Sequence, residues 1–491
     1  MSFGRKLLQG SGVLLLANIL AKVLSLLTLP YLTTQLSPQI YGEAALVSTL
    51  ISLLSVIALA GMDMSYSRAF LGTEGANTEQ VEVLIWRQGM VHSLLAGAVG
   101  ALLWYVYALR HAELHSQFAI LVGLGVSGSL LSSLAQTRAR LQSRYNRLAL
   151  AVFFSAALSY GVMLWLAGSA EVSEYALVSG YVAVYLLLII MLGVPVSGWF
   201  RNKSEAMDTA AAKSILMVGL PGIITAPAYW VISSADRWFL NAYADIATVG
   251  VYAVAVSIGT VGMMLNNAVL SAWVPEIVRE YETNTEQAHV AIGSVQSLII
   301  VGYALVWLWV CVLAPDLIAL LVDIRFHGAV QFVPWLAAGV FFYGCNHLFN
   351  SSMLLKRKMH ITAAIWILAL AWSLVGNYLF VRTYGAEAAA IVQAFAFAIA
   401  ALFMAVLAYR SYATNWLTLT LCVKLLAIAS MAYLATFLPQ LPLVAGLLAK
   451  LLFLAVFSLV LAAWCLPKHY TKLKKAIKKK VAIKEAAAPC E

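Results

Sequence analysis

An all-α, polytopic membrane fold is predicted for this chain, on three observations. Its 491 residues are 63% hydrophobic and only 11% charged, where a soluble chain carries about 25% charged residues. Apolar runs long enough to span a bilayer, about 20 residues each, recur from end to end. The basic residues between them crowd into alternate loops, as the cytoplasmic loops of membrane proteins do.

Fourteen runs are expected. The first, 10–34, follows Arg5 and Lys6. It resembles a signal peptide, but it is long, contains Lys22 and ends without a small-x-small cleavage site, so it reads as an uncleaved first span. The rest of the first set lies at 41–62, 83–109, 117–137, 148–168 and 174–196. A second set follows at 213–235, 247–273, 288–314, 330–353, 361–381 and 386–409, and two more runs at 416–437 and 442–466. Small and polar residues interrupt 10–34, 213–235 and 247–273. None shows the alternating pattern of an outer-membrane strand.

With the N-terminus inside, the inner segments and the tail hold 24 Lys and Arg and the outer segments 4, while Lys22, Lys424 and Lys450 fall within spans. Both termini are therefore expected in the cytoplasm. The tail, 468–491, is basic and follows a span directly, which suits anionic lipid headgroups or plain solvation better than nucleic acid. No loop exceeds about 20 residues, so no folded extramembrane domain is expected. No Gly-Lys dipeptide occurs, which excludes a Walker-type phosphate loop. The five cysteines lie in spans or the tail without metal-ligand spacing. No cofactor and no metal are expected.

An internal repeat is expected as well. The basic loops "RARLQSRYNR" (138–147) and "KRKMH" (356–360) lie six spans apart. A shift of 208 residues aligns 37–47 with 245–255, bringing Gly42 onto Gly250 and Gln88 onto Gln296. Six is even, so the copies keep one orientation and form a parallel pseudo-two-fold repeat. The units are then 1–200, 201–412, the extra helices 413–467 and the tail 468–491.

Lys22 is the residue that needs explaining. It lies about 18 Å along a helix beginning at Gly10, at ~1.5 Å per residue, near the middle of a core ~30 Å thick. A basic side chain there costs at least about 2.5 kcal/mol. Asn18, Lys22 and Ser25 share one helical face. They form the cationic wall of a hydrated cavity for an anionic headgroup, or Lys22 makes a structural pair with a buried carboxylate or carbonyl. Carboxylates are scarce in these spans. Ser48, Ser52 and Ser55 make a second polar stripe, and Asn346 and Asn350 a third, with Tyr343 one turn before them. Such residues line a cavity or hydrogen-bond between helices. Asp236 and Arg237 end the seventh span, as a gate pair or as interface markers. Lys424 lies near enough to the cytoplasmic end to snorkel, while Lys450 is deeper.

The stretch 10–70 resembles bacterial polysaccharide-export flippases of the multidrug/oligosaccharidyl-lipid/polysaccharide exporter superfamily. Leu36-Ser37-Pro38 followed by Tyr41-Gly42, then Gly61-Met62-Asp63 and Ser67-Arg68, carry the likeness. Asp236-Arg237 followed by Gly250-Val251-Tyr252 look like the second-half counterpart. The resemblance implies two six-helix lobes that open alternately to each face. It implies, as cargo, an undecaprenyl-pyrophosphate-linked oligosaccharide repeat unit crossing the bacterial inner membrane for O-antigen, capsule or exopolysaccharide assembly, with no enzymatic step and with other polysaccharide-assembly membrane proteins as partners. Lys22 suits the cavity that receives the pyrophosphate. The last two helices, with Lys450, suit a groove for the lipid tail.

Two rivals remain at this stage. A drug or metabolite exporter coupled to Na⁺ or H⁺ more often has twelve spans and acidic cavity residues. A membrane polysaccharide polymerase usually carries a sizeable outer loop, whereas the longest here, about 315–329, offers Asp316, Asp323, Arg325 and His327.

Overall fold

The computed structural model describes residues 3–71, 78–194, 220–283, 285–355, 359–411, 416–435 and 445–464. The helices are α1 (Phe3–Gln35), α2 (Pro38–Leu59), α3 (Met62–Leu71), α4 (Thr78–Ala108), α5 (Phe118–Leu141), α6 (Tyr145–Ala167) and α7 (Ala176–Leu192). A second series follows as α8 (Leu220–Tyr243), α9 (Ile246–Gly259), α10 (Met263–Thr283), α11 (Thr285–Leu321), α12 (Val333–Leu355), α13 (Met359–Gly376) and α14 (Arg382–Ser411). The last are α15 (Leu419–Ala435) and α16 (Ala445–Trp464). No strand occurs among the described residues. The basic tail and the segment 195–219, where the boundary between the two units is expected, lie outside them.

Each of the fourteen expected runs contains helix, but the number of crossings is not settled at fourteen. Ten helices among the described residues are long and apolar enough to cross a membrane, or up to eleven when the bent pair Ile324–Gln331 and Val333–Met353 counts as one span. Part of the difference has a plain cause. Residues 361–410 form one continuous 50-residue helical stretch, and at ~1.5 Å per residue that is more than twice the bilayer core. It does not run straight. A π-turn occupies Asn377–Val381, and Gly385 adopts φ 64° and ψ −145°, a conformation open to glycine. α13 and α14 consequently pack side by side. A 3₁₀ turn at Thr260–Gly262 also interrupts the expected span 247–273, between α9 and α10, although Ile246–Leu270 still counts as one of the ten.

The repeat is visible in the packing. In the first bundle α4 packs on α5, α1 on α6, α6 on α7, and α5 on α7. The same pairings recur 208 residues on, as α11 with α12, α8 with α13, α13 with α14, and α12 with α14. Between the bundles α2 crosses α9 at the two glycines the shift aligns. A Cβ on Gly42 would overlap the Ile246 carbonyl, and a Cβ on Gly250 would overlap the Pro38 carbonyl. Residue 38 maps to 246 and 42 to 250, so the two clashes are one contact repeated about a two-fold axis. Only residues without a side chain let the backbones approach so closely.

Outside the repeat, α15 packs on α11. The Lys450 ammonium pins α16 to the same helix through Asp316, at 2.6 Å. Lys424 does not reach for water. Its ammonium lies over the Trp464 ring, 5.4 Å from the centroid, a favourable placement for a cation in a poorly hydrated layer.

Candidate functional site

α1 has little polarity on which to hold a charge, so the partner of Lys22 comes from elsewhere. The ammonium, half-buried, donates to the Ser257 carbonyl of α9 at 2.9 Å, across the two bundles. Ser257 lies in the last turn of α9, just before the 3₁₀ segment Thr260–Gly262, where the regular i→i−4 ladder is interrupted. The 3₁₀ break at Thr260–Gly262 is what ends α9 there. The pairing is the carbonyl alternative foreseen from sequence. No carboxylate joins it among the described residues. A full positive charge thus meets only a neutral dipole, an arrangement a phosphate group can displace.

Ser25, one turn along, shares a hydrogen bond with Tyr160 of α6. Tyr185 of α7 bonds Ser52 of α2 and Ser129 of α5. These hydroxyls form a polar lining inside the first bundle, and Ser52 belongs to the stripe seen in the sequence. Asn18 is exposed and donates to the Leu14 carbonyl of its own helix. Asn346 and Asn350 sit in the second bundle. Asn350 accepts from the Thr362 hydroxyl of α13 at 2.7 Å. Asn346 is buried with neither side-chain atom hydrogen-bonded.

Asp236 and Arg237 do not pair side chain to side chain among the described contacts. Asp236, fully buried, accepts from the Tyr252 hydroxyl at 2.6 Å and from the Arg237 backbone N–H at 2.8 Å. The Arg237 charge acts on Asp236 and Tyr252 and also on Tyr181 of α7, in the other bundle, and its Nε is buried without a hydrogen-bond partner. Neighbouring helix residues point about 100° apart, which is why one faces each bundle.

Further contacts between the bundles gather at the end where the sequence places the outer face. Arg325 donates to the carbonyls of Thr33 and Thr34 at 2.7 and 2.9 Å. Trp238 donates to Thr49 at 2.9 Å, Asn241 to the Tyr107 hydroxyl at 2.7 Å, and Tyr41 meets Phe326 edge-on. The structure is therefore closed at that end.

Beside this seam lies a cluster that the sequence reading passed over. His115, between α4 and α5, pairs through Nδ1 with Glu43 of α2 at 2.7 Å and through Nε2 with Glu174 at 3.0 Å. Burial opposes the imidazolium charge, but the hydrogen bond to Glu43 and the two carboxylate charges outweigh it, so the His115 pKa is raised. A raised pKa stabilises the fold fully below the unfolded value of about 6.5. That contribution disappears as pH climbs through the folded value. The melting temperature of the wild type is expected to fall as pH rises from about 6 to 9, and His115→Gln to flatten the fall. Parallel pH profiles for the two proteins would contradict the assignment.

Comparison with known proteins bears on what such a site serves. A family model described as polysaccharide biosynthesis protein matches residues 7–281, more than half of the chain. No curated protein matches it. Among solved structures, the lipid II flippase MurJ in an inward closed conformation aligns at TM-score 0.71 and 10% identity, covering 91% of this chain and 98% of the other. A mutant form of the Vibrio cholerae MATE transporter VcmN aligns at TM-score 0.59 and 14% identity, covering 83% and 96%. A MOP superfamily transporter from Pyrococcus furiosus, whose binding pocket has reversed polarity, aligns at 0.57 and 14%, covering 84% and 96%. At these identities the likeness is one of fold.

Proposed function

This chain belongs to the polysaccharide biosynthesis protein family, and from that premise we propose that it is a flippase for an undecaprenyl-pyrophosphate-linked oligosaccharide repeat unit. It works by alternating access in the bacterial inner membrane, with both termini cytoplasmic and no bond made or broken. The observation that carries the reading is the Lys22 ammonium between the bundles, held by the Ser257 carbonyl and by no carboxylate among the described residues.

Pyrophosphate cannot cross hydrocarbon unaided, since burying an unpaired charge there is prohibitive. With the outer end closed, cargo enters from the cytoplasmic side. Its phosphate oxygens take the ammonium from the Ser257 carbonyl, because a charge-assisted bond between opposite charges is stronger than one to a neutral acceptor. Arg237, with its unpartnered Nε, offers a second cation further toward the outer end. The hydroxyls of Tyr160, Ser25, Tyr185 and Ser52 suit sugar hydroxyls. The lipid tail stays in the bilayer, along a groove beside α15 and α16.

The test is deletion of the gene in its host. Repeat units on the lipid carrier should accumulate at the inner face. Unpolymerised units outside would point to a polymerase, and drug sensitivity with normal glycans to an exporter.

A further inference from the structure

α8 shares its faces between the two bundles at seven-residue spacing, which returns a side chain to within about 20° of its starting direction. Asp236 turns to Tyr252 of its own bundle. Tyr229, seven residues earlier, packs into that bundle too, against Tyr343 of α12, Trp366 of α13 and Phe397 of α14. The Arg237 charge reaches Tyr181 of the first bundle, and the residue seven positions earlier on that stripe is Trp230. The repeat gives the same placement. The 208-residue shift that brings Gly42 onto Gly250 carries Lys22 onto Trp230, and α1 with its partner α6 onto α8 with α13. The indole therefore stands at about the depth of the Lys22 ammonium, on the facing wall of the space between the bundles.

Packing gives this ring no structural role. Trp230 is half-buried, yet it joins none of the three clusters of packed hydrophobic side chains among the described residues, although Tyr229 and Trp238 of the same helix each join one. Its ring meets only that of its neighbour Tyr229 there. Lipid does not account for it either. Tryptophans that face lipid gather at the membrane–water interfaces, as Trp165 does near the end of α6, where it is 78% exposed. Trp230 lies about 15 Å along α8, near the middle of a core ~30 Å thick. A large ring at mid-depth, half-covered and outside the packed core, borders a space that cargo fills.

We infer that Trp230 is the residue on which the sugar next to the pyrophosphate stacks. The inference rests on the flippase reading and deepens it. A pyrophosphate held at Lys22 carries its first sugar directly attached, and one face of a pyranose ring is a patch of C–H groups. An indole covers such a patch, removing apolar surface from water and setting its negative face against the C–H hydrogens. The hydroxyls of Ser25 and Tyr160, beside Lys22, suit the polar rim of the same ring. Lys22 alone accepts any pyrophosphate lipid. Trp230 adds the preference for a carrier loaded with glycan over the bare carrier, which has the same charge and the same tail.

The full-length protein, purified in detergent, is titrated with two lipids, and binding is followed by native mass spectrometry. One is bare undecaprenyl pyrophosphate. The other is the glycan-bearing carrier extracted from the gene-deletion strain. The wild type should bind the loaded carrier more tightly than the bare one. Trp230→Leu should weaken binding of the loaded carrier about tenfold and leave binding of the bare carrier unchanged, which also shows that the variant is folded. Trp230→Met, unbranched and closer in volume, is the second variant and should lose the preference as well. Trp230→Tyr keeps an aromatic face and should keep most of it. Trp165→Leu, at the exposed position on α6, should change neither affinity. Equal weakening for both lipids would make the ring a support for the lipid tail or the fold and overturn the inference. An undiminished preference in Trp230→Leu would overturn it too. Both results leave the flippase reading standing, whereas a wild type that binds neither lipid overturns that reading and the inference with it.

Discussion

Lys22→Ala should lower translocation of the lipid-linked glycan about ten- to a hundredfold while leaving the protein inserted and at least as stable as the wild type. The two halves of that expectation have separate causes. One charge-assisted hydrogen bond contributes about 1.5–3 kcal/mol, and each ~1.4 kcal/mol is a factor of ten. On the stability side, a lysine near the bilayer centre costs about 2.5–3.5 kcal/mol. The Ser257 carbonyl returns only part of this, so alanine relieves a burden. Lys22→Arg keeps the charge but changes its reach and geometry, and should retain part of the activity. Transport by reconstituted protein and melting of the same preparations read the two effects apart. Equal transport by wild type, alanine and arginine variants would remove Lys22 from the mechanism. Lost transport with lost stability would make it a structural residue.

Gly42→Ala should open the outer end. The added methyl would overlap the Ile246 carbonyl, which is backbone and cannot swing aside as a side chain can. Overpacking at such a contact costs about 1–3 kcal/mol, enough to shift an equilibrium between closed and open states roughly 5- to 150-fold. Gly250→Ala meets the Pro38 carbonyl in the symmetry-related way and should act alike. Gly161→Ala, with nothing within 4 Å of its new Cβ, is the matched control. Spin labels at Gln39 and Ala244, both exposed at the seam, report the separation by double electron–electron resonance. Both seam variants should gain a longer-distance population. Distributions identical to that of Gly161→Ala would show that the two bundles do not close at this crossing.

Much of the architecture was legible because hydrophobic length is a direct signal. Every expected run contains helix, and the 208-residue shift that aligned Gly42 with Gly250 proved to be a physical contact. Continuity was harder to read. Thr260–Gly262 and Gly385 break or turn helices within or between apolar runs, and only backbone geometry shows which glycine turns the chain. The site was half legible. Depth alone marked Lys22, but its partner is a backbone carbonyl, and a carbonyl has no sequence signature. The face shared by Asn346 and Asn350 was readable; which neighbour that face meets was not, since polar residues between membrane helices serve packing and cavities alike. Asp236 and Arg237 suggested a pair because they are adjacent, yet adjacency on a helix turns two side chains apart. Glu43 and His115 lie 72 residues apart and meet only once α2 is packed beside the α4–α5 turn.

Water at residue 22 is the point on which the account stands. In a cysteine-free background, Lys22→Cys in oriented membrane vesicles should react with a membrane-impermeant thiol reagent supplied from the cytoplasmic side. A thiol that stays unreactive from both sides would place this position in lipid or in a sealed interior, and the proposed route for an anionic glycolipid would be contradicted.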